Sequence, residues 1–166
     1  MNRRAIVDFT APDAARGWGP IDDVVMGGVS ASRIVFERDR TVFTGEVSLA
    51  YGGGFASVRS APREFAFGEA DGVELELAGD GRRYKLSARL DAAFDGVAYQ
   101  VEFVAPRERV RVRLAFSAFV AMRRGRPVPD AEHFDPARIT TIGLLIGSGQ
   151  SGAFRLELFE LAAYRD

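Results

Sequence analysis

Alternation of apolar and polar residues with a period of two runs through much of the chain and limits what it can fold into. Successive side chains of a β-strand point to opposite faces, so this period is typical of strands that bury one face. No stretch shows a convincing helical period over the length of a long helix. The alternation is clearest over Val73–Leu77, Tyr84–Leu90, Val97–Phe103 and Val110–Phe116.

Less regular segments predict the remaining strands. The run Ile139–Ile146 is almost wholly apolar, as expected of a strand buried on both faces. The alternation in Phe154–Leu158 slips at Phe159, which predicts a β-bulge at that residue. Between 118 and 138 the period is lost, and Asp135-Pro136 predicts a single helical turn there. Further strands are predicted over Ile6–Phe9, Ser32–Glu37, Thr41–Ala50 and Phe55–Arg59.

These segments predict an all-β protein. About ten strands at spacings of roughly 8 to 14 residues, with at most short helical turns between them, are typical of a sandwich of two packed antiparallel sheets. No linker, repeat or low-complexity run interrupts the chain. We therefore expect residues 1–166 to form one domain.

Two glycine-rich stretches, 18–30 and 52–59, interrupt the alternation. The adjacent carboxylates of Asp22 and Asp23 have two interpretations: a cation or acid/base site, or a turn in which one aspartate caps backbone N–H groups and the other pairs with Arg59. The second is favoured, because a hard cation needs six to eight oxygens and no calcium-loop pattern is present. The candidate structural residues are Asp22, Asp23, Gly27, Gly28, Gly53, Gly54 and Arg59.

The same two stretches resemble the signature of the complex I intermediate-associated protein 30 (CIA30) family. The matching residues are Trp18 with Asp22-Asp-Val-Val-Met-Gly-Gly-Val-Ser30, and Gly53-Gly-Phe-Ala-Ser-Val-Arg59. Further matches follow in order along nearly the whole chain. They include Gly79-Asp-Gly-Arg82 with Tyr84, Tyr99-Gln100 with Phe103, Arg124-Gly125 and the ending Phe154–Tyr164.

The resemblance implies a galactose-binding-like jelly-roll sandwich, similar to some carbohydrate-binding modules. It also implies a role in assembling respiratory complex I, as for the mitochondrial members of the family. It supplies no catalytic residues that could be assigned to positions in this chain.

Composition excludes several classes of function. The chain has no cysteine and a single histidine, His133, so thiolate chemistry and a multi-histidine zinc site are excluded. The formal net charge of −1 provides no basic excess for nucleic acid. No window approaches 18 apolar residues and the N-terminus lacks a targeting pattern. We expect no membrane span, no metal, no cofactor and a bacterial cytoplasmic protein that reaches a membrane only through partners.

Candidate binding residues fall into two groups, and each residue also has a structural interpretation. Trp18 would serve as a stacking platform or interface anchor, or as a core residue at the sandwich edge. Arg82, Tyr84, Tyr99 and Gln100 would line a concave face, or both tyrosines would be buried with their hydroxyls at the rim. The exposed loop from Met122 to Pro129 contributes Arg124 and Arg126 as candidate contacts for a protein partner.

Enzyme signatures are absent. Gly147-Ser-Gly-Gln-Ser-Gly152 matches a dinucleotide-binding pattern, but period-two alternation follows it instead of a helix, so a hairpin loop is expected. No nucleophile elbow and no catalytic constellation are visible. The sequence therefore favours a non-catalytic protein-interaction module with protein partners, possible respiratory complex subunits among them. The alternative is a module that binds a carbohydrate or another small ligand.

Overall fold

The computed structural model describes residues 2–21, 30–50, 54–93 and 95–166. Within these ranges it contains thirteen strands, two single-turn 3-10 helices (Phe116–Ala118 and Pro136–Arg138) and no α-helix. The strands are β1 (Asn2–Asp8), β2 (Trp18–Pro20), β3 (Ala31–Glu37), β4 (Arg40–Val47), β5 (Ala56–Ser60), β6 (Gly72–Ala78), β7 (Arg83–Arg89), β8 (Ala98–Val104), β9 (Val110–Ala115), β10 (Val120–Arg123), β11 (Arg126–Pro127), β12 (Thr141–Ile146) and β13 (Gly152–Arg165).

The strands form two antiparallel sheets that pack as a jelly-roll sandwich. The six-stranded sheet has the order β3-β4-β13-β6-β9, and β1 pairs with the C-terminal part of β13 beyond the end of β4. The seven-stranded sheet has the order β11-β10-β8-β7-β12-β5-β2. The predicted all-β sandwich of two packed antiparallel sheets is confirmed.

The hydrophobic core lies between the sheets and draws on both of them. From the six-stranded sheet Phe43, Leu75 and Leu158 are buried, and from the seven-stranded sheet Leu86 and Leu144 are buried. In β5 and β7 the buried residues recur at every second position, because one face of the sheet meets the other sheet. The strands β4, β6, β12 and β13 also contain consecutive buried residues. The alternation seen in the sequence therefore marks the inner faces of the sandwich.

Local irregularities also agree with the sequence. The register of β13 against β6 shifts between Leu158 and Glu160, which places the predicted bulge at Phe159. Asp135 caps the 3-10 turn by accepting a hydrogen bond from the Ala137 N–H group at 3.0 Å. The extra strands beyond the expected ten are short. The segments β2, β10 and β11 have two to four residues, too few for a period to be visible.

The outer face of the six-stranded sheet carries interleaved arginine and glutamate side chains. Glu74, which is buried, lies at its centre and accepts hydrogen bonds from Arg3 Nε at 2.7 Å and Arg113 Nε at 3.2 Å. Arg109 pairs with Glu76 at 2.9 Å, and Arg111 lies 4.0 Å from Glu74. The arginines of β9 are therefore matched by carboxylates of β6, and this face presents balanced charge.

Glu74→Gln tests how far this network stabilises the fold. Burial raises the pKa of Glu74, but hydrogen bonds from Arg3 and Arg113 outweigh it and lower the pKa below its ordinary 4.5. The carboxylate therefore contributes stability above its ordinary pKa, and this contribution is lost as pH falls through the lowered value. We expect the variant to lose about 1–2 kcal/mol at pH 7, because both arginines stay partly hydrated.

Urea denaturation at pH 7 and again below pH 4 measures this effect, and the difference from wild type should shrink at the lower pH. Glu102→Gln is the matched control, since its ion pair with Arg83 is about half exposed and should be worth under about 1 kcal/mol. Equal losses in the two variants at pH 7 would contradict a special role for Glu74.

Candidate binding face

We call the face of the seven-stranded sheet that points away from the core the outer face of the seven-stranded sheet. Its chemistry differs from that of the outer face of the six-stranded sheet. One row of residues in register crosses it from edge to edge. In order, the row is Gly19, Arg59, Gly143, Ser87, Gln100 and Val120, contributed by β2, β5, β12, β7, β8 and β10.

Burial along each strand shows which side chains point outward. In β7 the residues Tyr84, Leu86 and Ala88 are buried against the core, whereas the four residues that alternate with them are half-buried or exposed. In β5 the same period places Ser57 and Arg59 on the outside. The outward residues of β7 are Arg83, Lys85, Ser87 and Arg89.

Two half-buried guanidinium groups lie close together on this face. Arg59 is opposite Gly143 on one side of β12, and Arg89 is opposite Thr141 on the other side. Burial, together with the positive charge of Arg89, lowers the pKa of Arg59 to about 10. Burial also lowers the pKa of Arg89, and Asp91 and Asp95 partly offset that change. Both groups remain charged at neutral pH, so the face holds two mutually repelling cations in a partly desolvated setting.

Gly143 lies between Arg59 and Ser87 in the row, and its lack of a side chain allows close contacts there. A Cβ atom at this position would lie 2.8 Å from the Ser87 hydroxyl oxygen and 2.9 Å from the Val58 carbonyl oxygen. Gly143 and Thr141 are buried even though they lie on the outer face. The surface at Gly143 is therefore formed by backbone atoms, and the Ser87 hydroxyl lies close to it.

The tyrosines proposed for a binding face both point into the sandwich. Tyr84 is 1% exposed, and its hydroxyl donates to the carboxylate of Asp80 at 3.0 Å. Tyr99 is also buried, donates its hydroxyl to the Glu132 carbonyl at 2.5 Å and stacks on Phe134 at 4.6 Å. Of the four residues predicted to share a face, the structure places Gln100 alone on the outer face.

Arg82 and Trp18 lie away from Gln100. Arg82 precedes β7 and donates to the Ser151 carbonyl at 3.1 Å, which ties two loops together. Trp18 is half-buried, and its ring meets Phe9 edge-on with a centroid distance of 5.8 Å. It also borders a cavity of ≈ 390 Å³ between the ends of β1 and β5.

Arg124 and Arg126 are exposed at the β10–β11 hairpin, where Arg124 and Gly125 adopt positive φ angles of 50° and 77°. Arg124 forms an ion pair with Asp95. Because β11 and β2 are the two edge strands of one sheet, Arg126 and Trp18 mark its opposite ends. Six strand spacings separate these edges, a span of about 29 Å.

Part of the glycine-rich signature lies outside the described residues. Asp22, Asp23, Gly27, Gly28 and Gly53 belong to this part, so the expected pairing of Arg59 with an aspartate stays a prediction. Gly54 is described and has a φ of 148°, a conformation that favours glycine. Arg59 is described and lies in β5, the strand next to the β2 edge of the face.

Three residues of the face were missed from the sequence: Ser87, Arg89 and Gly143. Ser87 and Arg89 belong to the polar half of an alternating strand, which looks the same as any hydrated strand face. Gly143 does carry a signal, since a glycine in the middle of an apolar strand marks a close approach of another group. That Gly143 lies opposite Arg59 could not be predicted, because the register between these two strands is not visible in the local sequence.

A second cavity of ≈ 650 Å³ lies at the end of the sandwich, beside the stacked rings of Tyr99, Phe119 and Phe134. Within the described ranges, no three His, Cys, Asp or Glu side chains meet as ligands for a metal ion. Among the same residues, no helix has the length and hydropathy needed to cross a bilayer.

Solved structures define the class of fold. A family 11 carbohydrate-binding module from Clostridium thermocellum, in complex with a β-1,3-1,4-mixed-linked tetrasaccharide, has a TM-score of 0.72 at 11% identity and covers 98% of this chain and 95% of that one. A family 29 carbohydrate-binding module has a TM-score of 0.58 at 11% identity, with coverage of 98% and 87%. An agarase has a TM-score of 0.66 at 9% identity, with 100% of this chain matching 25% of that chain. The architecture is that of the jelly-roll carbohydrate-binding modules.

Sequence comparison defines the family. The family model for Complex I intermediate-associated protein 30 (CIA30) matches residues 7–158. An uncharacterized protein of Schizosaccharomyces pombe is 30% identical over an alignment 166 positions long, which covers 86% of this chain and 75% of that protein. The chain belongs to the CIA30 family, as the glycine-rich signature predicted.

Gly143→Ala tests whether this position of β12 requires glycine. The new methyl group would meet the Val58 carbonyl, which is backbone and cannot rotate away, so strands β5 and β12 would have to shift. We expect a loss of about 1–3 kcal/mol in the free energy of unfolding, as for other overpacked sites. Gly19→Ala is the control from the same row, because a Cβ there meets nothing within 4 Å, and it should change stability by less than about 0.5 kcal/mol. If urea denaturation gave equal losses of stability for the two variants, the close contact at Gly143 would not be what makes glycine necessary there.

Proposed function

We propose that this protein is a non-catalytic protein-interaction module that acts in the assembly of respiratory complex I. The family match over residues 7–158 carries this proposal. The outer face of the seven-stranded sheet and its two edges are the proposed contact surface.

The chemistry of this face suits a protein partner. Its width of about 29 Å and central strands near 20 Å long, which shorten towards both edges, make an area of roughly 500 Å², below the 800 Å² or so that each partner buries in a standard interface. Two exposed apolar side chains, Val104 and Val120, lie on the same face as the half-buried Arg59 and Arg89. Apolar groups and arginine are the components that interfaces enrich, whereas the other outer face has its charges already matched.

Mild-detergent affinity purification of the tagged protein from its own organism, followed by mass spectrometry, tests the assembly role. We expect respiratory complex subunits to copurify with wild type. Arg124→Ala/Arg126→Ala should reduce their recovery several-fold without loss of folding, because both side chains are exposed at the β10–β11 edge.

Arg33→Ala/Arg107→Ala is the matched control, since it removes the same charge from exposed positions outside the seven-stranded sheet. Trp18→Ala is less suitable, because Trp18 packs against Phe9 and the variant combines lost contact with lost stability. Recovery of no respiratory subunit with folded wild type would refute the assembly role. Equal loss in both double variants would remove the β10–β11 edge from the interface.

The second candidate function is binding of a carbohydrate. The fold is shared with carbohydrate-binding modules, one of them solved with a bound tetrasaccharide. Ser87, Gln100 and Arg59 supply hydroxyl, amide and guanidinium donors in one row of the outer face. These groups are suited to hydrogen-bonding the hydroxyls of a sugar laid across the strands.

A thermal-shift assay with the β-1,3-1,4-mixed-linked tetrasaccharide and a panel of other neutral oligosaccharides tests this candidate. We expect a rise in melting temperature that Gln100→Ala abolishes and that Tyr99→Phe leaves intact, because Tyr99 faces the interior. A shift that is lost equally in both variants would place the sugar elsewhere, and no shift across the panel would refute carbohydrate binding.

A further inference from the structure

The cavity of ≈ 650 Å³ at the end of the sandwich combines aromatic walls with acidic side chains. Five aromatic rings line it, those of Tyr99, Phe116, Phe119, Phe134 and Tyr164. Among the described residues that line the cavity, Asp71 and Asp166 are acidic and none is arginine or lysine. The chain has 22 arginine and lysine residues, so a lining of this composition favours a positively charged ligand over an anion.

The rings of this cavity differ in orientation. Phe134 stacks on Tyr99 with a centroid distance of 4.6 Å and on Phe119 at 5.3 Å. Phe116 is perpendicular to Phe134, with an angle of 90° between the two planes. Phe119 and Phe134 are only partly buried, so a small molecule in the cavity can reach them. Aromatic rings attract a cation that lies within about 6 Å of the ring centroid.

Asp71 is held in place at this cavity by its own backbone. Its N–H group donates to the Tyr164 carbonyl at 2.8 Å, and its carbonyl accepts from the Phe116 N–H group at 2.9 Å. Its side chain is exposed and accepts a hydrogen bond from the Asp166 N–H group at 2.8 Å through Oδ2. No salt bridge joins Asp71 to another residue of the described ranges. Its carboxylate is therefore positioned to pair with a ligand cation.

Arg113 shows that a cation is bound by a ring and a carboxylate at this end of the sandwich. Its guanidinium group lies 4.3 Å from the centroid of the Tyr164 ring and donates to Asp166 at 3.1 Å. Burial raises the pKa of Tyr164, and the charge of Asp166 raises it further, whereas Arg113 opposes the change and Asp71 adds to it. The charge of Asp71 therefore acts on the aromatic wall. Asp166 already pairs with Arg113, which leaves Asp71 as the carboxylate for a ligand.

We propose that this cavity binds the ammonium group of a small organic cation, with Asp71 as its counter-charge and Phe119 as its cation–π contact. The aromatic walls displace water from around the ammonium group, which strengthens its attraction to the carboxylate. The site lies at the end of the sandwich instead of on the outer face of the seven-stranded sheet. It goes beyond the proposed function and does not depend on it.

An NMR titration of the isotopically labelled full chain tests the site. Choline is the quaternary ammonium probe, n-butylamine is the primary one, and 3,3-dimethylbutan-1-ol is a neutral isostere of choline with carbon in place of nitrogen. Potassium chloride holds the ionic strength constant, so that general screening is equal in every sample. We expect saturable shifts of the backbone amide signals of Asp71, Ser117 and Phe119 with at least one ammonium probe, and at least tenfold weaker binding of the neutral isostere.

The two ammonium probes distinguish the sources of the positive charge. Binding of choline alone identifies a quaternary ammonium as the ligand group, and binding of n-butylamine alone identifies a primary ammonium that also donates hydrogen bonds to Asp71. Binding of both shows that the cavity selects for charge and apolar contact without requiring an N–H donor.

Asp71→Asn should raise the dissociation constant of the bound probe at least fivefold, because it removes the charge while keeping the shape and an oxygen acceptor for the Asp166 N–H group. Glu108→Gln is the charge-matched control. Glu108 is exposed in the turn before β9, whereas the cavity lies beyond the other end of that strand, so the dissociation constant should stay within twofold.

Phe119→Leu tests the aromatic contact separately from the charge. Leucine keeps an apolar side chain at this position but has no π system, so binding of the ammonium probe should weaken at least threefold. Binding of the neutral isostere should change less than that. If this variant does not fold, Asp71→Asn and the comparison of choline with its isostere still test the proposal.

Four results would overturn the proposal. They are no saturable shift with either ammonium probe in folded wild type, equal affinities for choline and its neutral isostere, equal affinities in Asp71→Asn and Glu108→Gln, or shifts confined to residues away from the cavity. Binding of an arginine-rich peptide without binding of either small cation would also overturn it, and would assign the cavity to a protein interface. Copurification of respiratory subunits is measured separately, so failure of this proposal is distinguishable from failure of the assembly role.

Discussion

The strand β13 is the element on which the rest of the structure depends. Its fourteen residues pair with β4 and then β1 along one edge and with β6 along the other. A bulge at Phe159 shifts the alternation, so that Leu158 and Leu161 both face the core. The Phe159 ring, left on the outer side, is covered by the guanidinium group of Arg109 at 3.8 Å. The bulge lets both halves of this long strand direct apolar side chains into the core, and β13 can therefore pair along its whole length within one sheet.

Arginine side chains have different surroundings on the two outer faces of the sandwich. On the six-stranded sheet, arginines of β9 lie opposite glutamates of β6, and the buried Glu74 accepts hydrogen bonds from Arg3 of β1 and Arg113 of β9. On the seven-stranded sheet, Arg59 lies opposite Gly143 and Arg89 opposite Thr141, and the charge of Arg89 contributes to lowering the pKa of Arg59. Like charges in a partly desolvated setting oppose folding, whereas opposite charges in register on neighbouring strands support it.

The local sequence predicted strands and a bulge correctly, because an alternating apolar pattern has one structural interpretation. The alternation of Tyr84, Leu86 and Ala88 predicted a strand with one buried face, and the slip at Phe159 predicted a bulge. The same reasoning could not assign Tyr84 to a binding face or to the core, since a tyrosine suits both. The structure places it inside with its hydroxyl on Asp80. The pairing of Arg59 with Arg89 was not predictable, because their strands are joined through β12, which lies far along the chain.

The sequence by itself determined the all-β class, the glycine-rich signature of the family and the faces of individual strands, because these depend on neighbouring residues and on backbone geometry. The tertiary structure alone decided which strands are neighbours, and hence that Arg59, Gly143, Ser87 and Gln100 form one row. It also decided that arginines of β9 lie opposite glutamates of β6, and that Arg89 lies near enough to Arg59 to lower its pKa. The reason is that charge pairing across a sheet depends on register between distant segments, and register is fixed only when the two sheets close over a common core.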